Sequence, residues 1–233
     1  MYSAPMTQRA SVGKKLRDMG RRYSLPEEIA NSVTHGVGAA LSVAALSVLV
    51  TCAGLFGDAW RVVGFSIYGA TLVLLYLFST LYHAFQNPRV KAVFRVLDHA
   101  AIFLLIAGTY TPLSLVTLRG AWGWTMFGVL WGCAVLGIVT TVAFMNAPKW
   151  LTAGIYIFMG WLAVIAIKPL VAALPTGGLV LLAAGGLSYT GGVVFYVWDR
   201  LPFNHAIWHL FVLGGSACHF FCMMYYVLPM DAM

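Results

Sequence analysis

Long apolar runs separated by short polar breaks dominate the chain, and each run is about as long as a helix that crosses a membrane. Such a helix needs about 20 mostly apolar residues, and the breaks consist of the Gly, Pro, Asn and charged residues that interrupt helices. The pattern therefore predicts an all-α fold, a bundle of seven transmembrane helices, with a kink at Thr111 and Pro112 in the third. The predicted spans are 29–56, 62–85, 96–116, 122–144, 150–167, 179–197 and 205–227.

The composition supports this interpretation and leaves no room for a separate soluble domain. Of the 233 residues, 61% are hydrophobic and 9% are charged, and the mean hydropathy is +0.86. A soluble domain carries roughly 25% charged residues, which it needs to cover a surface that faces water. We therefore predict two parts, a basic cytoplasmic arm over residues 1–25 and a membrane domain over residues 26–233.

The positive charge is placed where it would orient the protein in a membrane. With the N-terminus in the cytoplasm, the inner segments carry eleven Lys and Arg residues and the outer segments carry three. This bias predicts a cytoplasmic N-terminus and, with seven spans, an external C-terminus. It also explains the net charge of +7 without a nucleic acid partner, because basic residues beside a span hold it at the cytoplasmic side and can contact anionic lipid. Six of the eleven precede the first run: Arg9, Lys14, Lys15, Arg17, Arg21 and Arg22.

Polar and ionisable side chains inside or beside the apolar runs are rare, and nearly all of them share one depth. Such groups are costly in lipid and therefore mark candidate functional sites. In the predicted orientation they belong to spans one, two, three and seven, and most lie in the cytoplasmic half of the bilayer. They are Glu28, Asn31, His35, Ser79, His83, Asp98, His99, His205, His209 and His219.

Three imidazoles at this depth could form a metal site. His205 and His209 are four residues apart, so both project from one helix face and could hold a single ion. A third imidazole from span two, where His83 shares a face with Ser79, would leave one position for water, as in catalytic zinc sites. Asp98 lies at the level at which it could take a proton from that water, whose pKa zinc would lower to about 7.

Several of these residues also have a structural interpretation. A single pair of histidines four residues apart is weak evidence of a metal site. Glu28 could be an acidic residue that the dipole favours at a helix start, and Asp98 could cap the start of the third helix. Asn31 and His35 are expected to join helices through hydrogen bonds rather than to bind metal.

Two further histidines are expected outside the metal site. His99 points about 100° away from Asp98 around the helix, so we expect it at the membrane interface. His219 lies about 15 Å deeper than His209 along the seventh span, too far away to share an ion. It is expected to line a cavity or to bond to another helix.

Four motifs in this order resemble the hemolysin III branch of the progestin and adipoQ receptor (PAQR) superfamily. They are Glu28-Ile-Ala-Asn31-Ser-Val-Thr34-His35, Ser79-Thr-Leu-Tyr82-His83, Asp98 and His205-Ala-Ile-Trp208-His209. In the related adiponectin receptors, three histidines of spans two and seven hold zinc, and an aspartate of span three contacts it through water. The resemblance thus implies that His83, His205 and His209 bind Zn²⁺, with Asp98 and Ser79 beside the water.

The resemblance also implies what such a protein does. Adiponectin receptors and alkaline ceramidases resemble zinc-dependent hydrolases of lipid amides, which predicts an enzyme that takes membrane lipid from a cavity open to the inner leaflet. One alternative is a non-catalytic regulator in which zinc joins the helices and senses membrane fluidity. A pore-forming haemolysin is another, although the outer halves of the spans offer few polar side chains. Haem between paired histidines is a further possibility. We expect a protein of the bacterial inner membrane, involved in lipid homeostasis.

Overall fold

The computed structural model describes residues 23–144 and 147–228, and within these two ranges the chain forms helices and no strand. The basic residues of the N-terminal arm, from Arg9 to Arg22, lie outside the described residues. The all-α prediction is confirmed for the described part. Its α-helices are α1 Leu25–Phe56, α2 Ala59–Ala84, α3 Pro88–Pro112, α4 Ala121–Ala143, α5 Lys149–Gly160, α6 Ile167–Ala173, α7 Thr176–Val197 and α8 Asn204–Cys222.

Six segments of the described chain are long and apolar enough to cross a membrane. They are α1, α2, α4, the segment Lys149–Ala173 that contains α5 and α6, α7, and the segment Asn204–Val227 that contains α8. The remaining long helix is α3, which has 25 residues. Its first half carries charged side chains, and these lower its hydropathy. Each of the seven predicted spans therefore coincides with a helical segment, six of which have the character of a membrane span.

The third helix begins eight residues before the predicted start at 96. The side chain of Asn87 accepts hydrogen bonds from the backbone N–H groups of Arg89 and Val90, at 3.0 and 3.4 Å. Pro88 occupies the first turn, where its fixed φ suits a helix and its missing N–H has no partner to lose. The prediction was wrong here because Asn-Pro was interpreted as a break alone, and the charges that follow it as a loop.

Two helices break inside the bundle, and the freed backbone groups find local partners. After Pro112 the chain continues as a wide turn over Leu113–Thr117, in which the N–H of Leu118 donates to the carbonyl of Leu113 at 2.8 Å. The regular α-helix thus ends at Pro112, the position at which the sequence predicts a kink. The fifth segment breaks after Gly160 and continues to Ala173, beyond the predicted end at Ile167. There the Tyr110 hydroxyl donates to the Gly160 carbonyl at 2.5 Å.

Contacts between helix ends show that consecutive segments alternate in direction. At one end, the N–H of Phe203, before α8, donates to Glu27 of α1 at 3.1 Å, and Lys149 of α5 pairs with Asp199, just after α7. At the other end, Arg61 of α2 donates to the carbonyl of Val227 at 3.2 Å. We call the first of these the site end. It is the end at which α1, α3, α5 and α8 begin.

Glycines allow the helices to approach closely around the centre of the bundle. A Cβ at Gly38 of α1 would lie 2.5 Å from the ring of Tyr76 in α2 and 2.9 Å from Leu213 in α8. A Cβ at Gly185 of α7 would lie 2.4 Å from the ring of His219. Small residues at such positions let backbones pack tightly where no hydrophobic effect drives association. This packing brings α1, α2 and α8 together at the site end.

Candidate metal centre

Three buried histidines from two helices meet at the site end. His83 lies in the last turn of α2, and His205 and His209 lie one turn apart near the start of α8. One ring nitrogen from each lies within 4.8 Å of the corresponding nitrogens of the other two. Zinc binds histidine nitrogens at about 2.0–2.1 Å, so the three rings would move toward one another to hold a single ion. The structure therefore brings together the three histidines that the sequence selected.

The hydrogen bond of His83 leaves one nitrogen suited to a metal. Its Nδ1 lies 2.7 Å from a carboxylate oxygen of Glu28, so Nδ1 carries the proton and donates it to the carboxylate. Its Nε2 is buried and makes no hydrogen bond to another described residue. A histidine held in this way by a carboxylate presents a lone pair at Nε2, as metal ligands usually do.

The two histidines of α8 also have nitrogen atoms that could bind a cation. Nδ1 of His209 lies 3.2 Å from the backbone carbonyl of Asn31, to which it can donate, and this leaves Nε2 as the acceptor atom. Both ring nitrogens of His205 are buried without a hydrogen bond to any described residue. Leaving a buried polar atom unpaired costs about 1–3 kcal/mol. A metal ion held by His205 would give one of these two nitrogens a partner, so the residues present fit such an ion.

Glu28 is an internal residue of this centre rather than only an acid at a helix start. Its second carboxylate oxygen lies 2.8 Å from Nζ of Lys91, and both side chains are buried. Lys91 also donates to the carbonyl of Tyr82 at 2.9 Å. From the sequence alone, Lys91 counts only as one of the eleven basic residues of the inner segments. A usable signal was present, because Lys91 is seven residues before Asp98 and so shares its helix face.

Asp98 lies inside α3 and does not cap its start. The helix begins at Pro88, about three turns earlier, and its cap is Asn87. Asp98 and Ser79 are both buried and line one cavity, and Ser79 Oγ makes no hydrogen bond to a described residue. The structural alternative for Asp98 was therefore wrong, and two buried polar groups line the cavity that two of the three histidines also line.

The remaining polar residues of α1 differ in how they contact the cluster. Asn31 meets the expectation of a hydrogen bond between helices through its backbone carbonyl, which accepts from Nδ1 of His209 at 3.2 Å. His35 does not, because neither of its ring nitrogens bonds to a described residue. Its ring instead stacks on that of His209, with 3.4 Å between centroids. His35 therefore supports His209 by packing.

A narrow cavity of about 130 Å³ runs from the histidines into the bundle. His205, His209 and Asp98 line it near the site end, His219 lines it farther along, and most other lining residues are apolar. His219 bonds to the carbonyl of Leu182 at 3.3 Å and lies outside the histidine cluster, as expected. His99 also lines this cavity, contrary to expectation. Asp98 and His99 therefore line the same cavity although they lie about 100° apart around α3.

Fold and site together define a class of protein, a helical multi-pass membrane protein with a buried three-histidine group that could hold a metal ion. Similarity to known proteins shows to which family of this class the chain belongs. The family model described as "Haemolysin-III related" matches residues 23–220. The chain therefore belongs to the haemolysin III family, and the resemblance noted from its four motifs is confirmed.

Individual relatives agree with this assignment. The chain is 53% identical over 203 residues to Hemolysin-3 of Bacillus cereus, covering 87% of this chain and 93% of the relative. It is 47% identical over 204 residues to the Hemolysin-3 homolog of Bacillus subtilis (strain 168), covering 88% and 96%. It is also 31% identical over 215 residues to the human monocyte to macrophage differentiation factor, covering 89% and 88%. The bacterial relatives indicate the plasma membrane.

Proposed function

We propose that this protein is a zinc-dependent hydrolase of membrane lipid amides that serves membrane homeostasis. The observation that carries the proposal is the position of Asp98. It is a buried carboxylate that lines the same apolar cavity as His205 and His209. A carboxylate in such a place is costly, and neither helix capping nor a surface role accounts for it. A role as proton acceptor beside a metal-activated reaction does account for the buried position of Asp98.

Each group of site residues has its own role in the proposed hydrolysis. His83, His205 and His209 would hold the ion, which when bound would polarise the amide carbonyl and make water more acidic. Asp98 accepts a proton from the water that attacks the carbonyl carbon and returns it to the nitrogen as the C–N bond breaks. The products are a fatty acid and an amine, so atoms and charge balance. The Ser79 hydroxyl lies beside Asp98 and orients that carboxylate.

The cavity beside Asp98 could accommodate the apolar part of the lipid. Its walls are mostly apolar, so a lipid chain would replace water within it and strengthen electrostatic interactions near Asp98. His219 and Tyr189 lie along it beyond the histidine cluster. A chain that enters from the inner leaflet would run toward these residues, with its amide next to Asp98.

We also propose that α3 crosses the membrane, which gives seven spans with the N-terminus in the cytoplasm and the C-terminus outside. The alternating helix ends and the eleven-to-three distribution of Lys and Arg support this arrangement. A reporter that is active only in the cytoplasm is expected to work when fused at Met1 and to fail at Met233. Activity at both ends would contradict an odd number of spans and the shared depth of the site residues.

The direct test of the hydrolase is turnover by the purified, zinc-loaded protein. It would be incubated with a panel of lipid amides, and release of fatty acid would be followed by mass spectrometry. We expect zinc-dependent release from at least one amide, which stops when a chelator is added and resumes with zinc. Absence of release from every amide, at full zinc occupancy, would favour the regulator. One observation supports that candidate: the centre joins α1, α2, α3 and α8 through buried contacts.

Replacing Glu28 with Gln is expected to weaken zinc binding about 10–100-fold, the usual effect of changing a group that orients a metal ligand. Glutamine removes the charge that holds the Nδ1 proton of His83 and leaves buried Lys91 without its counter-ion. Competition with a chelator of known affinity measures the change. Glu27→Gln is the matched control, because Glu27 accepts bonds from Ser24 and Phe203 and contacts no histidine of the cluster. Equal affinities for the two variants would contradict the role given to Glu28.

A further inference from the structure

A second pocket, of about 630 Å³, opens at the site end between α3, α4, α5 and α7. Arg95 of α3 and Lys149 of α5 line it, with Thr141 of α4 and Tyr196 of α7. All four positions lie near helix ends that meet at the site end, where a lipid head group would lie if these helices cross the membrane. Arg95 and Lys149 are half-buried. The pocket is therefore part of the bundle rather than a feature of an exposed loop.

The charged residues that line this pocket favour the binding of an anion, and we call it the basic pocket. Its lining, within the described residues, contains two cations and neither Asp nor Glu. Lys149 forms an ion pair with Asp199, whose side chain is 70% exposed and does not line the pocket. Lys149 also lies over the ring of Tyr196, 5.3 Å from its centroid. The ammonium group also lies 3.4 Å from the backbone carbonyl of Tyr196, so it is held at the pocket wall beside that residue. Basic pockets between membrane helices on the cytoplasmic side bind the phosphate groups of lipids.

The two cavities are neighbours that share part of one wall. His99 and Tyr196 line both of them. Asp98 precedes His99, and the two side chains approach to 3.8 Å. A molecule that extended between His99 and Tyr196, with its chain in the narrow cavity and its head group in the basic pocket, would therefore pass the Asp98 carboxylate at the junction between its apolar and polar halves. A lipid amide has its amide bond in that position.

We propose that the basic pocket binds the phosphate-bearing head group of an anionic lipid amide, whose acyl chain occupies the narrow cavity. The proposed binding of the anionic head group rests only on the lining and charge of the basic pocket. The statement that this lipid is the substrate rests on the proposed function. The chemistry selects a lipid with negative charge in its head group over one whose head group is neutral.

Ceramide 1-phosphate and ceramide form a matched pair of probes, because they differ only in the phosphate. Binding of each is measured by native mass spectrometry of the full-length, zinc-loaded chain carrying Asp98→Asn, so that little lipid is consumed. We expect ceramide 1-phosphate to bind at least about tenfold more tightly. Each cation near such a surface is worth about fivefold in affinity. Replacing Arg95 and Lys149 together with Gln should thus weaken binding about 25-fold and remove the preference.

Two controls separate this effect from altered folding or a lost ion pair. Arg119→Gln removes a cation at the opposite end, where Arg119 lies 4.0 Å from Asp58, and should leave the preference intact. Asp199→Asn breaks the ion pair but keeps the charge of Lys149, and should preserve or strengthen the preference. Thermal unfolding of each variant, compared with the parent, confirms that the bundle is intact.

These experiments show whether the basic pocket binds a lipid or a free anion. They also test head-group binding separately from hydrolysis. Equal binding of the two lipids, or a preference that survives loss of both cations, would overturn the proposal. Displacement of ceramide 1-phosphate by millimolar inorganic phosphate would show that the pocket takes the free anion, and would overturn the lipid assignment. A phosphate-dependent preference without hydrolysis by the wild-type protein would refute the proposed function and leave the anionic site established.

Discussion

Replacing His209 with alanine is expected to reduce zinc from about one ion per chain to a trace, measured by elemental analysis of protein purified without chelator. His209 is one of three converging nitrogen ligands, and two imidazoles cannot hold the ion as three do. Loss of affinity should exceed the 10–100-fold change that follows when only a supporting group is altered. The lost imidazole also stacks on His35. Thermal unfolding in zinc-free buffer will therefore show whether the bundle itself is weakened.

His219→Ala is the matched control for this experiment. It removes a half-buried imidazole from the same helix and the same cavity, but one that lies outside the three-histidine cluster. We expect this variant to keep most of its zinc. His83→Ala should behave like His209→Ala, because His83 belongs to the cluster although it comes from a different helix. Similar zinc contents in the His209 and His219 variants would show that the ion is not bound where the three nitrogens converge.

Replacing Asp98 with asparagine is expected to reduce lipid hydrolysis by about 10²–10⁴-fold, the usual contribution of a general base. Asparagine keeps the size of the side chain and much of its hydrogen bonding but cannot accept the proton. Zinc should be lost only in part, since Asp98 is not among the three converging ligands. Turnover is therefore compared at saturating zinc, with fatty acid release as the measurement, so that lost occupancy is not mistaken for lost chemistry.

The same variant separates the hydrolase from the regulator. If the centre only joins helices, the wild-type protein shows no turnover, and Asp98→Asn shifts unfolding temperature and zinc affinity together. Ser79→Ala provides a graded comparison, because the hydroxyl orients Asp98 without taking up the proton, and should lower turnover less than Asp98→Asn does. An Asp98→Asn protein that holds full zinc and hydrolyses lipid at the wild-type rate would require another proton acceptor.

Sequence alone determined the class of the fold and the identity of the three histidines. Apolar run lengths depend only on composition and on the thickness of the bilayer, so the helical segments could be read directly. The spacing of His205 and His209 fixes their common face for the same local reason. His83 and Asp98 followed from depth, because each span traverses the same thickness and the position of a residue in its run gives its level.

Tertiary structure decided which neighbouring helix each polar side chain contacts. Depth places Glu28 and Lys91 at the site end, but only the packing of α1 between α2 and α8 brings Glu28 to His83 and buries Lys91 against it. Rotation of each helix about its axis likewise decided that His35 stacks on His209 and that His99 lines the cavity beside Asp98. Helix rotation and neighbour choice depend on close packing at glycines such as Gly38 and on contacts far apart in sequence, and no local pattern encodes them.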